Sequence, residues 1–332
     1  MSALRSSERR VLLFYETQAE WLARQQGRPG ADHEVRSLAQ EHELDEIADC
    51  LKTQGYQVER MPWPTGFVDC LHAVKAKGED STILWNLTDG DAPFSGSLIP
   101  AAARLCCLPY VGSSTYVQAL CQNKHHWKAV VSAAGLPTPQ WCVSRMYARA
   151  DMNALRQMSY PVFVKAAYLG DSAGLGLSDP LCKTPSEALG TADVLHRNGI
   201  QIVVIEEFLP GQEYSYAFVD APDRTDYVGF QVYEGSFLSD QLKNYDTPDE
   251  MFHQRPADRS EVRSLGQSVA SEIGLQGYGK IDIRESRDGS LMVMDVNAVP
   301  FLTGVSFRSL ARYSFTNYAT MIGHLVAGSP VN

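Results

Sequence analysis

The chain has 332 residues, 44% apolar and 20% charged, enough for two or three domains with packed cores. Its formal net charge is −10 with no clustered Lys and Arg, which argues against a nucleic-acid partner. No apolar run approaches the ~18 residues needed to cross a bilayer, so no membrane partner is expected. The first ten residues lack the apolar core of a secretion signal. Seven cysteines without a Cys-x-x-Cys pair predict a reduced, cytoplasmic protein that uses them as small buried apolar residues.

In chain order, a strand is expected at Arg10–Tyr15, then a helix over Glu43–Gln54 that ends at Gly55. Its apolar positions Leu44, Ile47, Ala48 and Leu51 keep a 3.6-residue period. Strands at Tyr56–Arg60 and Ser81–Asn86, a helix near Leu98–Cys106 and the segment Leu108–Gly112 complete a first region, 1–113. Strands alternating with helices predict a small parallel sheet, whose ligands sit at the strand C-termini. The polar run Asn86–Gly96 follows such a strand.

A second region, 114–210, holds a helix over Asn123–Ala134, a stop at Gly135–Pro139, a strand at Tyr160–Ala166, a helix from Ser186 and a strand at Gln201–Leu209. A third, 211–332, contains a long polar stretch, Tyr233–Ser260, expected as an ordered but mobile loop. It also contains a hairpin, Gly279–Arg284 and Leu291–Asn297, turning at Arg287-Asp288-Gly289.

That hairpin carries the strongest chemical signal. Asp282 and Asp295 alternate with Ile281, Ile283, Met294 and Val296, so regular strands turn both carboxylates away from the core. Asn297 shares their face. Two carboxylates and an amide oxygen suit a hard cation such as Mg²⁺, or Mn²⁺ in its place, completed by phosphate oxygens. The bland alternative is a pair of solvated aspartates. Lys165 ends an apolar strand just before Gly170-Asp171-Ser172-Ala173-Gly174-Leu175-Gly176. It either snorkels to solvent or sets a point charge beside phosphates held by loop N–H groups. Glu206-Glu207 at the next strand end reads as a solvated pair or as a binding element. Lys124, on a helix first turn, reads as a solvated lysine. His125-His126 read as solvated or core-edge side chains.

Asp282, Asp295-Val296-Asn297, Pro300 and Ser306 together resemble the C-terminal signature of the ATP-grasp ligases, in particular the D-alanine–D-alanine ligases. The resemblance runs from about Ile83 to the C-terminus. It implies an α/β, three-domain ATP-grasp fold: a small N-terminal parallel-sheet domain and two α+β domains that sandwich ATP. It implies that Lys124, Lys165 and Ser172 meet the phosphates, that Glu206, Glu207 and Leu209 meet the adenine, and that Glu213 meets the ribose. Asp282, Asp295 and Asn297 would hold one or two Mg²⁺ ions. Lys280 would stabilise an oxyanion, Lys243 would lie in a lid over the γ-phosphate, and Ser306 would bind the acceptor's carboxylate. The implied activity is ATP-dependent joining of a small-molecule acid to an amine through an acyl phosphate, in a homodimer.

Departures accompany the resemblance. The family usually has Ser at Asp171, Tyr at Asn244, Arg at Lys280, Gly at Phe301 and Asp at Asn123. Its first-substrate pocket uses a glycine-rich turn and a His-Gly pair, where this chain has Tyr15-Glu16-Thr17-Gln18 and Asn86-Leu87-Thr88-Asp89-Gly90. The expectation is retained nucleotide chemistry on amino-acid-like substrates other than two D-alanines. Two alternatives stay open: a ligase that closes a ring within one substrate, and a nucleotide-binding protein without catalysis.

Overall fold

The computed structural model describes residues 9–17, 41–63, 66–76, 81–88, 95–168, 178–220, 223–233 and 252–329. Three sheets organise them. The first is parallel, in the order β2-β1-β3-β4, from β1 (Arg10–Tyr15), β2 (Gln57–Pro62), β3 (Ile83–Asn86) and β4 (Tyr110–Val111). Both faces of this sheet are covered, so β1 reads as an unbroken apolar run rather than an alternation. Val11, Leu13 and Trp85 enter one core, with the helix Glu41–Thr53 and the C-terminal helices Val305–Ser314 and Tyr318–Ala327. Leu12, Phe14 and Leu84 enter another, with the helices Phe67–Ala76 and Leu98–Leu105. The last two helices of the chain therefore complete the core of its first sheet.

The second sheet has the order β5-β8-β6-β7, from β5 (Trp141–Arg145), β6 (Val162–Ala166), β7 (Leu181–Cys182) and β8 (Ile202–Glu207). The helix Pro185–Arg197 covers one face, where Val162, Val164, Val203 and Ile205 are buried. Alternation sends Lys165 and Glu206 to the other.

The third sheet is antiparallel, in the order β11-β10-β9-β12-β13, from β9 (Glu213–Asp220), β10 (Arg224–Tyr233), β11 (Phe252–Pro256), β12 (Tyr278–Glu285) and β13 (Leu291–Asn297). Its apolar face, including Tyr216, Phe218, Ile281 and Ile283, packs under the helices Thr115–Cys121, Lys124–Ala133 and Ser260–Ile273. The helices at 115–133 thus share a core with the third sheet, although they precede the second in the chain.

Two backbone approaches lock the sheets together. Gly277 (φ +74°) passes so close to Gly112 that a Cβ would lie 2.8 Å from the Gly112 Cα. A Cβ on Gly211, in the link from β8 to β9, would lie 2.8 Å from the Glu285 carbonyl oxygen. Neither position has room for a side chain.

Two expectations are corrected. The stretch after Tyr233 is not all loop: Phe252–Pro256 pairs antiparallel with β10 as an edge strand. The β12–β13 pair is also not a regular alternation. Asp282 faces Asp295 but Ile283 faces Val293, so Met294 is the extra residue of a bulge. Val293 and Val296, three apart, are the buried pair, and Met294 is only half-buried. The thiols are all free, but against the expectation of burial only Cys121 and Cys182 are buried, and Cys107 is exposed.

Candidate active site

The bulge decides where the carboxylates point. It turns Val293 into the core and leaves Asp295 on the opposite face, directly across from Asp282. Lys280 and Asn297 are partners one step along, on the same face. Like charges opposed across a pair of strands repel, so this arrangement needs compensation. Lys280 Nζ lies 2.9 Å from Asp282 Oδ2. Ser215 of β9, also opposite Asp282, donates its hydroxyl to Oδ1 at 2.6 Å. Gln231 of β10 in turn donates to Ser215 Oγ at 2.9 Å. A polar relay crosses three strands and fixes the Asp282 carboxylate. Asn297 Oδ1 accepts from the Val299 N–H at 2.9 Å, which orients that amide.

The second sheet supplies the facing charges. Glu206 is not a solvated strand-end acid. It is buried, with Lys165 Nζ 2.5 Å from Oε1 and Lys128 Nζ 2.7 Å from Oε2. The Lys128 contact has ionic distance without hydrogen-bond direction and is an ion pair. Lys128 is fully buried and donates to Thr138 Oγ1 at 3.0 Å. Thr138 donates onward to the Val293 carbonyl at 3.0 Å. Lys124, at the head of the same helix, donates its backbone N–H to the Ala167 carbonyl, two residues past Lys165, at 2.7 Å.

Charge couples the two halves. Burial lowers the Lys165 pKa, but Glu206, Asp295 and Asp282 raise it more, and the net shift is upward. Burial likewise opposes the charge on Lys280, and Asp282, Asp295 and Glu213 outweigh it. Glu206 is pushed up by burial and pulled further down by Lys128 and Lys165, so it stays ionised. Lys128 is shifted down, because burial exceeds what Glu206 returns. Lys128, Lys165 and Lys280 are matched one for one by Glu206, Asp282 and Asp295, so the cluster is near neutral.

With its lysines already matched, the cluster would need a further cation to accept a polyanion. Two opposed carboxylates and an amide oxygen are the hard donor set that a Mg²⁺ ion takes. Among the described residues no three His, Cys, Asp or Glu side chains form a metal cluster. By donor chemistry the residues present fit the ion.

The other expected positions are distributed as follows. Glu213 is buried and faces Arg284, whose Nη1 is 3.8 Å from its carboxylate. Arg284 also donates to the Gly211 carbonyl and lies over the Phe208 ring. Leu209 is buried, and Glu207 accepts the Ser159 N–H at 2.8 Å. Ser306 is buried in the first turn of its helix and accepts from Gln254 Nε2 at 2.8 Å. His125 is buried and His126 exposed, with no metal cluster around them among the described residues. Ser172 and Lys243, with Asp171 and Asn244, lie outside the described residues.

Lys128, Thr138, Ser215, Gln231 and Gln254 are members of the site that motif reading passes over. Two had a usable signal. Lys128 is four residues after Lys124, on one helix face, and Ser215 is two after Glu213, on one strand face.

A family model described as "D-ala D-ala ligase C-terminus" matches residues 130–327. The D-alanine–D-alanine ligase of Azoarcus sp. (strain BH72) is 27% identical over 271 residues, covering 78% of this chain and 83% of that one. The ligase of Haemophilus ducreyi is 28% identical over 270 residues, covering 78% and 82%. In fold, the chain is similar to the D-alanine–D-alanine ligase from Bacillus anthracis, with TM-score 0.71, 14% identity and coverage of 96% and 97%. It is also similar to that from Coxiella burnetii, with TM-score 0.67, 15% identity and coverage of 97% and 95%.

Proposed function

The chain belongs to the D-alanine–D-alanine ligase family of ATP-grasp enzymes, and from that premise we propose that it joins two amino-acid-like substrates, a carboxylate donor and an amine acceptor, that are not both D-alanine. It is an ATP-dependent carbon–nitrogen ligase. The observation that carries the reading is the facing of Asp282 and Asp295 on one sheet, with Lys165 of another near enough for both charges to raise its pKa.

Lys165 and Lys124 bind the nucleotide phosphates. Asp282, Asp295 and Asn297 would hold Mg²⁺, which would supply positive charge to offset the phosphates. The donor carboxylate attacks the γ-phosphorus, the β–γ bridging P–O bond breaks, and an acyl phosphate and ADP form. The amine then attacks the acyl carbon. Lys280, with the Phe301 backbone N–H, stabilises the oxyanion, and phosphate leaves as the C–N bond is completed. Glu206, Glu207 and Leu209 frame the adenine, Glu213 meets the ribose, and Ser306 takes the acceptor's carboxylate.

The departures at Lys280 and Phe301 support the changed substrates. Lys keeps the charge of an Arg but loses its bidentate fork, and Phe301 fills space beside the acceptor. The test is release of ADP and phosphate across a panel of acid and amine pairs, with products identified by mass. Formation of AMP and pyrophosphate overturns the mechanism. D,D-dipeptide of alanine as the preferred product overturns the substrate assignment.

The regions 1–113, 114–210 and 211–332 serve as substrate, central and metal-binding domains in this reading. A cytoplasmic homodimer is part of it. Exposed Val68, Leu98 and Leu105 on the helices outside the first sheet support such a contact, and light scattering checks it. No helix among the described residues is long and apolar enough to cross a membrane.

A further inference from the structure

We propose that Lys128 is a positioning residue for nucleotide binding: it keeps hold of the Glu206 carboxylate so that Lys165 can leave that carboxylate for the phosphates. The inference rests on the ATP-binding reading above and adds a residue that touches no substrate.

The two lysines on Glu206 are not equivalent. Lys128 has no exposed surface, and its ammonium is tied both to Glu206 Oε2 at 2.7 Å and to Thr138 Oγ1 at 3.0 Å. Thr138 is bonded to the edge of β13, where the Val293 N–H also donates to the Pro137 carbonyl at 2.8 Å. Lys128 is thus anchored to the third sheet and its helix. Lys165 is 14% exposed, contacts the other oxygen of Glu206, and is held charged by Asp295 and Asp282 as well. One lysine is fixed and the other has somewhere to go.

Buried charge explains why the fixed lysine matters. If Lys165 moves to phosphate, Glu206 keeps one cation and remains a neutral pair with Lys128. Without Lys128, the same movement strands an ionised carboxylate in a dry interior, which is unfavourable. Lys165 then stays on Glu206, and the phosphates lose its charge. Adenosine, which has no phosphates, does not require the transfer.

The experiment measures dissociation constants of the Mg²⁺ complex of adenylyl imidodiphosphate and of adenosine by calorimetry on the full chain. The ratio of the two constants isolates the phosphate contribution. Lys128→Met is expected to reduce that ratio at least tenfold. In Lys128→Met/Glu206→Gln no carboxylate can be stranded; loss of the Glu206 contact with adenine weakens both ligands alike and cancels, so the ratio is expected to return to within threefold of the parent's. A purely structural role weakens both ligands together and leaves the ratio unchanged, which overturns the proposal. Should Lys128→Met alone fail to fold, the charge-balanced double variant decides: a tenfold loss of its ratio overturns the proposal, and a parental ratio supports it. A parent chain that binds neither ligand instead overturns the ATP reading itself.

Discussion

The site has two carboxylate–lysine clusters of opposite character. Around the hairpin, Lys280 and Asp282 are part-exposed, at 26% and 13% of their side chains, and sit in a relay through Ser215 to Gln231. Around Glu206, the side chains of Lys128 and the carboxylate itself are 0% and 4% exposed. The open cluster can exchange a lysine for a metal ion and phosphates at little desolvation cost. The sealed one cannot release its charges without leaving another unpaired. In the proposed reading the first reacts and the second holds geometry, and mutations should separate them.

The largest expected effect is at the open cluster. Asp295→Ala is expected to lose ATP turnover by about 10³-fold or more with the fold retained. Circular dichroism and phosphate release check it, and unchanged turnover removes the metal assignment. Lys280→Ala is expected to lower kcat by about 10²-fold while leaving nucleotide affinity within a few-fold. An equal loss in affinity would place Lys280 on the nucleotide instead.

The sealed cluster should report mainly in stability. Glu206→Gln leaves the buried Lys128 ammonium without its counter-ion, a change that costs about 3–5 kcal/mol in comparable buried pairs. Urea unfolding measures it. Glu206 also has a defined pH signature. Its folded pKa lies below the ordinary carboxylate value of 4.5, so its contribution is present above that value. It is lost as pH falls through the lower folded value. The parent should therefore lose stability there, and the Gln variant should lack that component.

The smallest expected effect lies just outside both clusters. Burial, with His126 and Arg145 nearby, pushes His125 down from 6.5 to about 4. Between those values the unfolded chain binds the extra proton, so stability falls as pH drops from 6.5 towards 4. His125→Gln should flatten that slope in unfolding curves at pH 7 and pH 5 without altering turnover. An unchanged slope would mean that the ring already titrates normally in the folded chain.

Much of this was legible in the residues. The parallel first sheet followed from apolar strands alternating with helices, and the acidic hairpin from its Asp-Gly turn and flanking alternation. Lys165 and Glu206 stood out as charges at the ends of apolar strands. Their pairing did not, because it depends on β6 and β8 being neighbours. The bulge at Met294 was equally hidden: local pattern marks Met294 and Val296 as core-facing, whereas strand register buries Val293 and Val296.

The sequence by itself determined which groups are present: an all-oxygen donor set, lysines at strand and helix ends, and enough apolar periodicity to build sheets and helices. Tertiary structure alone decided which charges meet. Lys128 lies 78 positions before Glu206 in the chain, and only the stacking of the second sheet against the third brings them to 2.7 Å. Coulomb energy and desolvation depend on distance in space and on burial, and neither quantity is written in the order of the residues.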